Sequence, residues 1–320
     1  MKIVFHGDNA STFEPGFSNL LDARHDIKIL SDTLDGAGET EAYAQADVVI
    51  GVRLTPEHPR SAARLFQVPG AGYDGIDLSV LSQSCALCNC FGHENAIAEY
   101  VMSALLARHV PLVEADAQLR RGDWHYWAGG PSGLRTELGA QSIGIVGYGH
   151  IGKAVAARAT AFGMAVHVAN RSPISDDHLA GVYGLDGLIE MLGSVDIVIN
   201  TLPLTDSTLG LIGAQALVAM RPHAIVMNVG RGAVIDEDAL YDALSNDQIG
   251  GAILDTWYVY PSPSTPQPMP GNRPFHKLSN VTMTPHMSGW TEGTIARRRA
   301  AMADNVNRLA TGDNLINRIR

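Results

Sequence analysis

Apolar and polar positions alternate regularly in the first third of the chain. Short apolar runs, KIVFHG, HDIKIL, ADVVIGVR, FQVPGAG and CALCNC, are separated by more polar stretches. Runs this short and this apolar fit strands buried in a parallel sheet, with the segments between them wrapping it as helices. Past His93 the period changes: Ile97, Val101, Leu105 and Leu112 keep one face apolar to about Arg120, which predicts one long helix suited to a domain crossing. The segment RGDWHYWAGGPSGLR, Arg121 to Arg135, has neither period and predicts an extended aromatic arm of the kind that packs on a partner. A second alternation begins at Gln141 with QSIGIVGYG, MAVHVAN, SVDIVINT, HAIVMNVG, IGGAILD and NVTMTP, which predicts six further strands. Between Tyr260 and Pro274, Pro261, Pro263, Pro266, Pro268, Pro270 and Pro274 exclude regular structure and predict an ordered surface loop. A last helix, Thr291 to Ala310, is expected to return and pack on the first domain.

Two alternations in 320 residues predict an α/β protein of two doubly wound, parallel-sheet domains with a cleft between them. The expected division is residues 1–95 plus 290–320 against 96–289. Apolar residues at 46% and charged residues at 18% are ordinary for a globular chain and too apolar for disorder. A net charge of -10 argues against a nucleic-acid partner, which needs basic patches. No apolar run reaches a membrane-spanning length of about 18 residues, and MKIVFHG opens as a strand rather than a signal peptide, so the expected location is cytoplasmic. Cys85, Cys88 and Cys90, odd in number and crowded in one apolar run, fit buried thiols; a structural zinc site usually wants four ligands, and no metal is expected.

Gly147, Tyr148, Gly149, His150, Ile151 and Gly152 follow the strand SIGIV and open the helix KAVAARATAFG. A Gly-x-Gly-x-x-Gly string alone is weak, but in this position each glycine has work in a Rossmann dinucleotide site. The first makes the tight turn, the second admits the pyrophosphate, and the third packs the helix closely, while the helix N-terminus receives negative charge. Where an NAD enzyme would place an acid at the end of the next strand, Asn170 stands, followed by Arg171 and Ser172. Without a carboxylate to repel a 2′-phosphate, and with an arginine and a hydroxyl to bind it, the expected cofactor is NADP, with NAD possible if Arg171 stacks on adenine instead.

Arg231 in NVGRGAVID, Asp255 in GAILDTWY and His286 in TPHMSGW fall at or near predicted strand ends, where open parallel sheets bind ligands. With these residues the chain resembles the D-specific 2-hydroxyacid dehydrogenases from about GAGYDGIDL to its end. The resemblance implies a flavodoxin-like substrate domain beside the Rossmann domain, Arg231 on the substrate carboxylate and carbonyl, and His286 as acid/base. An arginine offers a planar fork that matches a carboxylate, and a histidine titrates near neutrality. The resemblance also implies substrate contacts from the backbone of Gly70, Ala71 and Gly72, with Arg53 adding charge. Cofactor contacts are implied from Leu202, Pro203, Val229, Gly230, Arg231, Asp255, His286 and Ser288, with Asp255 on the nicotinamide carboxamide and a strand-end cap as its alternative role.

One position departs from the family. Most members carry a Glu five residues after the position of Asp255, where it hydrogen-bonds the histidine; here DTWYVYP puts Tyr260 there. A phenol can orient His286 but cannot stabilise an imidazolium by charge, unless a loop insertion shifts the spacing and Glu292 takes the role. The expected activity is hydride transfer between NADP(H) or NAD(H) and a small 2-keto or 2-hydroxy acid of the glyoxylate or hydroxypyruvate kind, in the reductase direction. Oxidation of a formate-like substrate and a non-catalytic dinucleotide sensor are the alternatives. A homodimer built on the long helix and the aromatic arm is implied by the same resemblance.

Overall fold

The structure, a computed structural model, describes residues 1–320 other than Pro263. The chain divides into two units, Met1–His93 with Trp290–Arg320, and Glu94–Gly289. Among the described residues the first unit holds β1 (Lys2–His6), β2 (Asp26–Leu30), β3 (Val48–Ile50), β4 (Leu65–Gln67) and β5 (Ala86–Cys88), with helices α1 (Gly7–Ser11) and α2 (Glu39–Ala44). The strands are all parallel in the order β2-β1-β3-β4-β5, which is the flavodoxin-like winding.

Burial explains why the inner strands lack a polar face, whereas the edge strand β2 leaves Asp26 and Lys28 exposed. Alternate residues serve two cores: Ile3, Phe5, Val48, Ile50 and Leu65 on one side, Val4, Val49, Phe66 and Leu87 on the other. The first face is covered by the C-terminal helix, Glu292–Thr311, through Met302, Ala303 and Val306. Thr291 starts that helix by accepting the Thr294 N–H on its side chain, at 3.2 Å. Cys85, Cys88 and Cys90 are buried and unbridged, and burial pushes their thiols up to about 11, 11 and 12.

The second unit opens with α3 (Glu94–His109) and α4 (Leu112–Leu119). The predicted single helix is broken there, with a bend of 46°. Pro111 is the cause, since it supplies no N–H to the helical ladder and its ring clashes with the preceding turn. Ile97, Val101 and Leu105 of α3 are buried, but Leu112 beyond the break is 73% exposed and does not share their face. Residues 121–135 form turns without helix or strand, and Trp124 and Trp127 are exposed.

The alternation from Gln141 becomes β6 (Ser142–Val146), α5 (His150–Ala161), β7 (Ala165–Asn170), β8 (Gly181–Gly184), α6 (Leu188–Ser194), β9 (Ile197–Asn200), α7 (Ala214–Ala219), β10 (Ile225–Asn228), α8 (Glu237–Ser245), β11 (Gly251–Leu254) and β12 (Val281–Met283); the C-terminal helix is α9. Seven parallel strands lie in the order β12-β11-β10-β9-β6-β7-β8, one more than the apolar pattern predicted. The addition is β8, an edge strand of sequence GVYG with half of its residues exposed, too short and glycine-rich to carry a periodic signal. Ile143, Ile145, Ile197, Ile199 and Met227 face the core shared with α3 and α5. Val146, Val198, Val226 and Ala252 face the one shared with α6, α7 and α8. The strand order reverses between β6 and β9, and that switch point is where such sheets open a crevice. The described residues of 260–274 contain no helix or strand beyond an isolated Ser262–Thr265 bridge; Pro263 of that run lies outside the described residues.

Candidate active site

The glycine loop sits on the switch point. Gly147 has φ +97°, a conformation that side chains disfavour, and a Cβ there would come within 2.9 Å of both Thr201 Oγ1 and Leu202 Cδ2 on the β9 side of the crevice. Gly152 is closed in a different way, since its Cβ would meet the Gly147 carbonyl oxygen at 2.2 Å. Gly149 is the opposite case, with nothing within 4 Å of where its Cβ would project. The open cradle therefore lies above Gly149, at the start of α5, which has no side-chain cap and no acid in its first turn. A pyrophosphate fits this cradle: backbone N–H groups and the helix dipole favour it, and the missing Cβ leaves room for it. Ile151 is half-buried against the core, and His150 is exposed at the helix start.

Asparagines at strand ends hold the surrounding loops. Asn170 Oδ1 accepts the Tyr148 N–H at 3.1 Å, and its Nδ2 donates to the Ser172 carbonyl at 2.9 Å, leaving Arg171 and Ser172 exposed on the turn after β7. Asn200 Nδ2 donates to Asn228 Oδ1 at 2.9 Å, while Asn200 Oδ1 takes the Leu202 N–H and Asn228 Oδ1 takes the Gly230 N–H. Asn228 Nδ2 then donates to the Arg231 carbonyl at 3.0 Å. This buried pair fixes Leu202 and Pro203 after β9 and Val229, Gly230 and Arg231 after β10. Gly230 has to be glycine for the two loops to meet, as its Cβ would lie 2.5 Å from the Leu202 carbonyl oxygen. The Arg231 side chain is half-buried and donates from Nη1 to the Gly230 carbonyl at 3.0 Å.

His286 follows β12 with φ +58°, a left-handed conformation for a residue that carries a side chain. Asp255 at the end of β11 holds that turn. Its carboxylate is fully buried and accepts Thr284 Oγ1 (2.6 Å), the Met287 N–H (2.9 Å) and the Ser288 N–H (2.9 Å). Thr284 is further tied to Tyr100 through its hydroxyl at 2.7 Å and to Trp257 Nε1 through its carbonyl at 2.7 Å. The Tyr260 hydroxyl lies 2.8 Å from His286 Nδ1 and accepts the Trp257 backbone N–H at 3.1 Å. The phenol oxygen thus keeps a second lone pair for an Nδ1–H, and its own proton for an unprotonated Nδ1. Either exchange directs Nε2 away from Tyr260 as the atom that gives or takes a proton.

The structure brings Arg231, Asp255, Tyr260, His286 and Ser288 onto the ends of adjacent strands β10, β11 and β12. In the first unit, Gly70, Ala71 and Gly72 follow β4, where the Gly70 carbonyl takes the Cys90 N–H and the Ala71 carbonyl takes Asn89 Nδ2. Arg53 follows β3, is exposed, and lines a surface cavity of about 480 Å³ with Thr55, Asp74 and Asp77. Asn200, Asn228, Thr284 and Trp257 were not singled out from the sequence. A signal for the asparagines was present, because VAN, IVIN and IVMN end three of the predicted strands alike. Among the described residues no group of three or more His, Cys, Asp or Glu side chains could hold a metal ion, and no single helix is long and apolar enough to cross a membrane.

A glycine cradle at a helix start, with an arginine and a histidine on strand ends of the same sheet edge, is an arrangement suited to a nicotinamide-dependent oxidoreductase. Residues 102–288 match the family model described as D-isomer specific 2-hydroxyacid dehydrogenase, NAD binding domain, and the chain belongs to that family. It is 33% identical over 296 residues to a glyoxylate reductase of Aeropyrum pernix, covering 89% of this chain and 85% of that one. It is 30% identical over 283 residues to a D-3-phosphoglycerate dehydrogenase of Methanocaldococcus jannaschii, covering 85% of this chain and spanning about half, 51%, of that longer protein. Among solved structures it resembles an NADPH-dependent glyoxylate/hydroxypyruvate reductase from Sinorhizobium meliloti in complex with NADP and malonate, with TM-score 0.78, 26% identity, and 99% and 96% of the two chains covered.

Proposed function

We propose that the protein is a cytoplasmic, homodimeric, NADP-preferring reductase of small 2-keto acids of the glyoxylate or hydroxypyruvate class, and in reverse a D-2-hydroxyacid dehydrogenase. The observation that carries this reading is the Tyr260–His286 contact on the strand end two places from Arg231. The guanidinium of Arg231 would grip the substrate carboxylate and polarise the neighbouring carbonyl, leaving Nε2 of His286 to protonate the oxygen as the alcohol forms. As that proton leaves, Nδ1–H donates to the Tyr260 oxygen and keeps the ring oriented. Asp255 acts as the positioning residue for His286, by holding the N–H groups of the two residues that follow it. Gly70, Ala71 and Gly72 would offer backbone amides to the carboxylate, and Arg53 a further charge.

The glycine cradle, α5 and the loops at Leu202–Pro203 and Val229–Gly230 would hold the cofactor, with His150, Ile151 and Ser288 at its edges. A bound, reduced nicotinamide supplies the hydride. Preference for NADP is supported by Asn170 in place of an acid and by the exposed Arg171 and Ser172 beside it. The test is absorbance-monitored oxidation of NADPH and NADH with 2-keto acids from glyoxylate to bulky aromatic ones, beside His286→Ala. Turnover of a small keto acid with NADPH, reduced at least 100-fold in the variant, is expected. Turnover of formate but of no keto acid would replace this reading by one in which no carbinol proton is removed, and the neutral Tyr260 is the residue that favours it.

A further inference from the structure

Between β7 and β8 runs a ten-residue connection, Arg171–Ala180, whose first residues are exposed. Its later part is anchored on the sheet, since Ile174 and Leu179 pack on the core beneath α5 and the Ala180 N–H donates to the Val166 carbonyl at 2.7 Å. One side chain of the glycine fingerprint reaches into this connection. Tyr148, which stands between Gly147 and Gly149, packs its ring on the same core and donates its hydroxyl to Asp176 at 2.7 Å. Asp176 in turn accepts the His178 N–H at 3.1 Å. The Tyr148 backbone N–H is held by Asn170, whose Nδ2 holds Ser172, so a single residue of the pyrophosphate loop is bonded at both ends of the segment Asn170–Asp176.

We propose that Tyr148 and Asp176 form a latch that positions Arg171 and Ser172 for the 2′-phosphate, making Tyr148 a positioning residue for the choice of NADP over NAD. The inference rests on the assignment of Arg171 and Ser172 above. Fixing backbone costs conformational entropy, so a turn already held at both ends gives up less of it when it closes on a phosphate. Only a cofactor bearing that phosphate draws on the order of the turn; the pyrophosphate of either cofactor meets the Gly149 cradle, which the Tyr148 hydroxyl does not touch. The latch also holds across the working pH range. Burial and the adjoining Asp176 push the Tyr148 phenol up to about 12, so it remains a donor, while the Tyr148 hydroxyl holds Asp176 below the usual carboxylate range, so it remains an acceptor.

The measurement is binding rather than turnover: dissociation constants of NADP+, NAD+ and adenosine 2′,5′-bisphosphate by titration calorimetry on the full chain, for the wild type, Tyr148→Phe and Asp176→Asn. Tyr148→Phe, which deletes one oxygen and keeps the packed ring, is expected to weaken NADP+ and the bisphosphate about 5- to 10-fold and NAD+ less than twofold. Asp176→Asn keeps an acceptor and removes a negative charge, so it is expected to bind NADP+ within twofold of the wild type or more tightly. Equal weakening of NADP+ and NAD+ by Tyr148→Phe, or no weakening of either, overturns the latch while leaving the NADP assignment intact. A wild-type protein that binds NAD+ as tightly as NADP+ overturns the NADP assignment itself, before any variant is compared.

Discussion

At the scale of single residues the candidate site is built from a strained histidine and the groups that tolerate it. A left-handed backbone at a side-chain-bearing residue costs of order 1–3 kcal/mol, and three donors converging on the buried Asp255 carboxylate offset that cost for His286. The neutral Tyr260 hydroxyl contacts His286 Nδ1 at 2.8 Å, and in the proposed reaction it takes the place of the acid that the family resemblance implies there. Tyr260→Phe removes the partner of both His286 Nδ1 and the Trp257 N–H, and is expected to lower kcat about 10-fold with a smaller change in KM. Tyr260→Glu would add a negative charge beside the ring and favour the imidazolium. The alkaline limb of the pH profile for keto-acid reduction is expected to move upward by about one unit, since the protonated acid survives to higher pH. Steady-state rates between pH 5 and 9 check both, and an unmoved profile for Tyr260→Glu would remove Tyr260 from the proton-transfer site. The spacing from Asp255 to Tyr260 was legible in the sequence. The strain at His286 was not, because a backbone angle is set by the turn that neighbouring strands force on it.

At the scale of elements, the sheet of the second unit is tied at the end away from the glycine loop by one acid. Asp196, just before β9, accepts the N–H and hydroxyl of Ser142 at the start of β6 (2.8 and 2.7 Å) and is paired with Arg221 Nη1 (2.6 Å) and His223 Nε2 (2.9 Å), which precede β10. Burial alone would raise its pKa, but the bonds from the Ser142 N–H, His223, the Ser142 hydroxyl and Arg221 outweigh burial and hold the carboxyl well below the usual range. Because the folded value is depressed, the stabilisation is complete above the unfolded carboxylate pKa of about 3.9 and is lost as pH falls through the folded value. Asp196→Asn is expected to cost about 2 kcal/mol at pH 7, the scale of hydrogen bonds to a charged group, and less as the medium becomes acidic. Urea midpoints at pH 7 and pH 3 measure this, and equal losses at both would mean that the charge contributes nothing. Strand positions could be read from apolar runs because both faces of each sheet are covered. The edge strand β8 escaped, since GVYG is only four residues long and exposes Val182 and Gly184 on one face while Tyr183 packs on the core from the other.

At the scale of the whole molecule, α4 has no buried residue, and its Leu112 and Val113 are 73% and 87% exposed, next to an arm that exposes Trp124 and Trp127. Apolar side chains this exposed on a regular helix mark a surface that gains by being covered, and a second copy of the chain is the occupant that the proposed homodimer supplies. Light scattering after size exclusion is expected to give about twice the 34.1 kDa of one chain, falling to the single mass for Leu112→Asp with Val113→Asp. A single mass for the wild type would remove the dimer. Pro111 is what turns α4 out of line with α3, so the break that spoiled the expectation of one long helix also creates this face.

By itself the sequence determined what local chemistry dictates: strand rhythm, the glycine fingerprint between a strand and a helix, the missing acid at Asn170, and the spacing from Asp255 to Tyr260. These are legible because period, turn chemistry and motif spacing involve residues near one another along the chain. Only the tertiary structure decided that Asn200 bonds Asn228, that Asp255 holds the turn at His286, and that Tyr148 reaches Asp176, each partner lying 28 or more positions away. Such pairings are fixed by parallel strand register, which brings the carboxyl ends of separate strands to one edge, and no single stretch of the chain encodes it.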